Sequence, residues 1–142
     1  MKVSFNTKEF DKRIMEVLSQ FPEASKTAMQ RATLVVEGEA KEQCPVDLGT
    51  LRSSITSKVN KESNGVAGYV YTNEEYAPFV HFGTGIYAKN KNGRTTPWKF
   101  KTRKGEWITI KGQKPSPFLM DALNNKKSEI RQELAKVIEY VR

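Results

Sequence analysis

The amino-acid sequence predicts an α+β fold: N-terminal helices and a long C-terminal helix packed on a small antiparallel sheet, with a protruding basic hairpin or loop. Apolar residues recur at helical spacing at both ends of the chain. Between them lie two stretches rich in β-forming residues, and each is interrupted by a turn that contains glycine. Strands joined by such short turns pair as antiparallel hairpins.

The N-terminal third is predicted to be helical. Asn6 and Glu9 have the spacing of a capping box, which predicts the start of a helix near Thr7. Pro22 either kinks this helix or opens a second one at its first turn. The apolar stripe that follows ends before Pro45, because proline restricts the residue that precedes it.

Two hairpins are predicted in the middle of the chain. The first pairs residues 55–60 with 66–72 through a turn that ends in Asn-Gly. The second covers residues 98–110, where apolar residues alternate with Lys99 and Lys101, so one of its faces is apolar and the other cationic. The polar stretch 86–97 between the hairpins predicts an exposed, mobile loop.

The C-terminal part is predicted to be one helix of about 25 residues. Ser116 is its expected N-cap and Pro117 its first helical residue. The polar stretch NNKKSE interrupts the apolar stripe of this helix. We therefore expect its two halves to pack against different surfaces, one of them on a neighbouring subunit.

The chain length fits a single domain, residues 1–142, with a basic insertion at about 85–115. Cys44 is the only cysteine, so no intrachain disulfide can form. Together with the only histidine, His81, it cannot supply four zinc ligands, and no metal or other cofactor is expected. Because the sequence contains no long apolar run, we expect neither a signal peptide nor a membrane span.

The net charge of +8 belongs to one segment. Residues 83–115 contain nine basic residues and one acidic residue, Glu106, whereas the rest of the chain is neutral. This excess is greater than solubility needs and indicates a polyanionic or acidic partner. No known DNA-reading motif accompanies the charge, so contacts with DNA would be made to phosphates. The basic residues are Lys89, Lys91, Arg94, Lys99, Lys101, Arg103, Lys104, Lys111 and Lys114.

A cysteine-nucleophile enzyme is one alternative. Cys44, His81 and either Asp47 or Glu75 are the only residues that could form such a site. The position of Cys44 between a helix end and a proline favours a buried, structural thiol instead.

A small ribonuclease toxin is a second alternative, and a basic nucleic-acid-binding protein of other purpose is a third. The acid–base group of the ribonuclease would be His81, with Glu74, Glu75 and Arg94 beside it. A second histidine is absent, and nothing in the sequence forces these groups to converge. The apolar neighbours of His81 favour an imidazole packed among aromatic side chains.

Three stretches in a fixed order resemble a known family. They are CPVDLGTLRSSI at residues 44–55, EYAPFVHFGTG at 75–85 and PSPFLMDAL at 115–123. Together they resemble the tail-completion or neck proteins of long-tailed phages and prophages, the HK-type head–tail joining family. The resemblance spans most of the chain and implies a structural virion protein, not an enzyme, that forms a ring around the DNA path at the head–tail junction.

The resemblance also implies which residues define the fold or its assembly. Those of the first stretch would form the turn before the first hairpin, those of the second a short aromatic element before the loop, and those of the third the start of the final helix. We expect the aromatic residues of the second stretch to be buried and His81 to be a bystander or interface group. The implied residues are Pro45, Asp47, Gly49, Leu51, Arg52, Tyr76, Phe79, Phe82, Gly83, Pro117 and Phe118.

The partners implied by the resemblance are other neck and tail proteins, namely a tail terminator and a head-closure protein, and further copies of the chain in a ring, expected to be a hexamer. Double-stranded DNA would pass non-specifically through the lumen, where six copies would present about fifty positive charges. The expected location is the tail or neck of the virion, after assembly in the host bacterial cytoplasm. Whether the basic segment faces DNA or an acidic tail protein stays open.

Overall fold

A computed structural model of the chain describes residues 1–6, 12, 16, 19–47, 49–62 and 65–141. The chain divides into two units, which we call the core unit (Met1–Asn73 and Phe118–Arg142) and the inserted unit (Glu74–Pro117). The α+β prediction is confirmed, with a three-stranded and a two-stranded antiparallel sheet. The strands are β1 (Lys2–Asn6), β2 (Thr56–Glu62), β3 (Gly65–Tyr71), β4 (Trp98–Lys101) and β5 (Trp107–Ile110). The helices are α1 (Pro22–Gln43), α2 (Thr50–Ser54), α3 (Ala77–Phe82), α4 (Phe118–Asn125) and α5 (Lys127–Val141).

The sheet of the core unit has the order β1-β3-β2. The predicted first hairpin is present as β2 and β3, and residues 63 and 64 of its turn lie outside the described residues. β1 was not predicted, because its five residues contain only two apolar side chains, Val3 and Phe5. Both are buried opposite β3, with Val3 paired to Val70 and Phe5 to Gly68. Pairing with β3, and not the local propensity of these five residues, therefore makes this segment a strand.

The helix α1 lies against β2 and β3. It opens with Pro22 in its first turn, after a non-helical Phe21, so the second alternative for this proline is confirmed. The helix ends as predicted, because Cys44 adopts an extended conformation before Pro45. The predicted first helix near Thr7 falls mostly outside the described residues, although Ser19 and Gln20 are helical.

The predicted long C-terminal helix is divided at Lys126 into α4 and α5. Helical hydrogen bonds continue through the division, from the Lys126 N–H to the Ala122 carbonyl (3.1 Å) and from the Ile130 N–H to the Lys126 carbonyl (2.9 Å). Both helices pack on α1, and α4 also contacts β1. The expectation that one half is reserved for a neighbouring subunit is wrong, because the apolar side chains of both halves, such as Leu119 and Leu134, are buried in the core unit.

One carboxylate joins α1 to the edge of the sheet. Glu37 accepts hydrogen bonds from Lys41 Nζ at 2.7 Å and from Ser57 Oγ of β2 at 2.5 Å. Burial alone would raise the pKa of Glu37, but the hydrogen bonds from Lys41 and Ser57 outweigh it and hold this pKa below its ordinary value. The ionised form is therefore the stabilising one.

Glu37→Gln is expected to lower the free energy of unfolding by about 1 kcal/mol at neutral pH. Because the folded pKa is lowered, the carboxylate contributes its stability above the unfolded pKa and loses it as the pH falls through the folded value. The difference between wild type and variant should therefore shrink below the ordinary value of 4.5. Urea unfolding at neutral and acid pH measures this, with Glu16→Gln, at an exposed position, as the control. An unchanged difference at acid pH would contradict the assignment.

The inserted unit contains α3, a turn of 3₁₀ helix (Gly85–Tyr87) and the β4–β5 hairpin. The predicted hairpin is confirmed, and Trp98 pairs with Ile110 and Phe100 with Ile108 on one face. The two ends of the unit are tied together by backbone hydrogen bonds. They run from Thr84 N–H to the Gln113 carbonyl (2.9 Å), from Ile86 N–H to the Lys111 carbonyl (3.1 Å) and from Ser116 N–H to the Val80 carbonyl (2.9 Å). The predicted mobility of residues 86–97 stays a prediction.

Candidate functional site in the inserted unit

All nine basic residues singled out in the sequence lie in the inserted unit, and all are exposed. The whole unit contains nine basic and three acidic residues, a net charge of +6, whereas the core unit contains fifteen and thirteen, a net charge of +2. Lys99 and Lys101 occupy the face of β4 opposite Trp98 and Phe100, and Arg103 and Lys104 lie in the turn that follows. Such a surface attracts phosphates or carboxylates.

Two of these cations lie over aromatic rings. The guanidinium of Arg94 is 5.6 Å from the centre of the Trp98 ring, and its Nε donates a hydrogen bond to Thr96 Oγ1 at 3.1 Å. Lys114 Nζ lies 6.0 Å from the centre of the Tyr87 ring. Both contacts hold a long side chain in place while it stays exposed.

Most of the exposed large apolar side chains that the structure describes belong to the inserted unit. Twelve such side chains are exposed among the described residues, and eight of them belong to this unit of 44 residues. Contiguous exposed apolar side chains typically mark a site of protein interaction, and of these eight, Phe79 and Phe82 line one groove. The eight are Tyr76, Phe79, Phe82, Ile86, Tyr87, Phe100, Trp107 and Ile108.

The expectation that the aromatic residues of the second stretch are buried is wrong. Tyr76, Phe79 and Phe82 are 42%, 60% and 44% exposed, whereas His81 is only 4% exposed. In α3 the residues at helical spacing i and i+4 that face inward are Ala77 and His81. The imidazole packs edge-on against Phe82, with 4.7 Å between ring centres. His81 is therefore a buried packing residue, and the aromatic side chains are presented outward.

His81→Ala is expected to destabilise the protein by about 2 kcal/mol, because it removes a buried ring and leaves a void. Thermal unfolding measures the effect. Phe79→Ala, on the exposed side of the same helix, is the control and should change stability by less than about 0.5 kcal/mol. Equal stability of His81→Ala and wild type would show that the imidazole packs loosely.

The residues of the enzymatic alternatives differ in burial. The Cys44 thiol is buried, and burial raises its pKa against the opposing charge of Arg52, so the nucleophilic thiolate is disfavoured. His81 is buried, whereas Glu75 and Arg94 are exposed. Among the described residues no group of His, Cys, Asp and Glu side chains is placed to hold a metal ion. None of the helices that the structure describes has the length and apolar character needed to cross a membrane.

The first resembling stretch forms the connection between α1 and β2. Leu51 is buried, Pro45 and Asp47 are exposed, and Gly49 lies just before α2. Arg52 Nε donates a hydrogen bond of 2.7 Å to a carbonyl in the last turn of α1, that of Lys41. A cation there satisfies a free carbonyl and complements the helix dipole. In the third stretch Pro117 is half-buried, and Phe118 is buried at the start of α4.

The structure also contains a groove that sequence analysis missed. It has a volume of about 370 Å³ and lies between α3 and the loop that leads to β4. Its walls come from segments about ten to twenty residues apart, so no local pattern in the sequence announces it. The side chains that define it are Phe79, Phe82, Asn90, Asn92, Arg94 and Trp98.

Comparison with known proteins gives one family. Residues 8–83 match the model of the HK97-gp10-like family of bacteriophage tail components. No curated protein and no solved structure matches the chain. The matched region includes the first resembling stretch and most of the second, and it ends before the nine basic residues. The role of the basic segment therefore has to be argued from its own geometry.

Proposed function

The chain belongs to the HK97-gp10-like family of bacteriophage tail components, and we propose that it is the tail-completion or neck subunit at the head–tail junction. As a member of this family it is a structural protein of the virion, and it interacts with other tail proteins. In the proposed role, copies of the chain form a ring around the DNA path. The tail terminator and the head-closure protein are the neighbours expected on either side.

The observation that carries the proposal is the separation of charge between the two units. A closed ring brings the same segment of every copy to one annular surface. Nine exposed cations per copy on such a surface would line a passage for DNA through phosphate contacts, without reading the base sequence. The cationic face of the hairpin, with Lys99 and Lys101, suits this contact because both side chains point to the same side of β4.

The same charge explains why assembly would await the tail. Copies with a net charge of +6 on one unit repel each other in solution, and the repulsion is strongest at low salt. We propose a monomer in the host cytoplasm that joins a ring, expected to be a hexamer, when a tail presents its end.

A phage that lacks the gene tests the proposed position. We expect filled heads and complete but detached tails in its lysates, and restoration of joined particles by the gene in trans. Antibody-labelled gold on complemented virions should lie at the head–tail junction. Labelling along the tail tube or at the distal tip, with heads and tails still joined in the deletion, would contradict the proposal.

A further inference from the structure

We infer that the groove of the inserted unit is a docking site for an acidic segment of another tail protein, anchored by one aromatic or branched aliphatic side chain. The inference rests on the proposed function only in naming a tail protein as the source of the segment. It assigns a partner to a groove that does not include Lys99 and Lys101, the two hairpin cations of the proposed DNA contact, although Arg94 belongs to both surfaces.

The shape of the groove fits a side chain and its backbone. A volume of about 370 Å³ is at the lower end of the range for ligand sites, so it accepts a short segment and not a folded surface. Phe79 and Phe82 of α3 form one wall, and Trp98 forms another.

The orientation of α3 leaves its aromatic side chains exposed and accessible to a partner. This short helix buries Ala77 and His81 and leaves Phe79 as one of the most exposed apolar residues described. Burying a phenyl ring gains about 2 kcal/mol, and that gain is absent while the ring faces water. Exposed aromatic residues at the centre of a concave surface are typical anchors of protein interfaces.

The charge around the groove selects the partner. Arg94 lines it, with its guanidinium held over Trp98, and Asn90 and Asn92 also line it. Lys89 and Lys91, both exposed, belong to the same loop. A fixed guanidinium matches a carboxylate with two parallel hydrogen bonds, and the surrounding lysines favour further acidic residues. An acidic segment with one apolar anchor satisfies both the walls and the rim.

Duplex DNA is the weaker occupant. Phosphates gain from the cations but nothing from the three aromatic side chains, and paired bases are not available to enter a groove. Unpaired bases could stack on the aromatic side chains. Single-stranded DNA is therefore included as a competing probe.

Calorimetric titration of the full-length protein with synthetic peptides tests the inference. The probe is the peptide Glu-Asp-Glu-Phe-Asp-Glu-Asp, and two control peptides carry serine in place of Phe or lysine in place of every acid. We expect the probe to bind about tenfold or more tightly than either control, because each removes one of the two recognition elements. Phe79→Ser and Arg94→Ala should each weaken the probe about tenfold or more. Trp107→Ser, at a residue 67% exposed on the hairpin and outside the groove, should change it less than about twofold.

Results of two kinds would overturn the inference. One is a probe that binds no better than its controls, or is weakened equally by Trp107→Ser. The other is single-stranded oligothymidine that binds more tightly than the probe and is lost in Phe79→Ser. Capping of purified tails, followed by electron microscopy, separates the two proposals. If Phe79→Ser caps tails as well as wild type does, the neck role is supported and the groove is not needed for it. If the wild-type protein binds the peptide but does not cap tails, the docking site is supported and the neck role is contradicted.

Discussion

Gly85→Ala is expected to unfold the inserted unit, the largest effect of any single substitution considered. Gly85 has a φ of +61°, and a Cβ at this position would overlap the Lys111 carbonyl oxygen. That carbonyl accepts the hydrogen bond from Ile86, one of the bonds that tie the two ends of the unit together. We expect a loss of more than about 3 kcal/mol in the local stability of the unit, because both backbone strain and steric overlap act against it.

Hydrogen exchange followed by mass spectrometry measures the effect directly. The amides of Thr84 and Ile86, which donate to backbone carbonyls, and that of Gln113, which donates to Thr84 Oγ1, should lose protection, while those of β3 serve as the internal reference. Gly105→Ala is the matched control: its φ is +85°, but the nearest atom to its Cβ is Lys101 Cε at 3.9 Å. It should lose only the conformational penalty of about 1 kcal/mol. Equal protection in Gly85→Ala and wild type would mean that the crossing of the two segments is not as close as the structure shows.

The double substitution Lys99→Glu and Lys101→Glu is expected to lower the affinity for duplex DNA by more than about tenfold at low salt. The two side chains share the cationic face of β4, so their replacement reverses the sign of that face. If both contact phosphates, the slope of log K against log salt should fall by about 1.8. Fluorescence anisotropy with a labelled duplex of about 30 base pairs, titrated at several salt concentrations, measures both quantities.

A control of equal charge change separates a local contact from the effect of net charge. Lys127→Glu with Arg131→Glu alters the net charge by the same amount at exposed positions of α5 in the core unit. Its affinity for DNA should stay within about threefold of wild type, because the altered charges lie outside the basic unit. Equal losses in the two double variants would mean that DNA responds only to net charge, and the hairpin would have no special part.

The elements that could be predicted are those whose signals are local. Pro22 and Pro45 mark the ends of α1 because proline restricts the backbone wherever it occurs. The hairpin at residues 98–110 follows from strict alternation around a glycine turn. The exposure of all nine cations could also be expected, since lysine and arginine are almost never buried without a partner.

The elements that could not be predicted depend on distant parts of the chain. β1 becomes a strand because β3 pairs with it, and the five residues of β1 alone do not show this. The prediction that the aromatic side chains of α3 are buried was wrong, because it rested only on their hydrophobicity. In α3 the small Ala77 and the polar His81 fill the inward positions, and the larger Phe79 faces solvent. The groove exists only because separate segments meet, and this information is absent from local sequence.

The central claim is that this tail protein completes the end of the tail as a ring. Tails from a phage that lacks the gene, mixed with the purified protein, test it most directly by electron microscopy with class averaging along the tail axis. We expect a ring of repeated subunits at one end of each tube, the end that joins the head, while light scattering shows monomers in the absence of tails. Bare ends on both sides, or protein distributed along the whole tube, would contradict the claim.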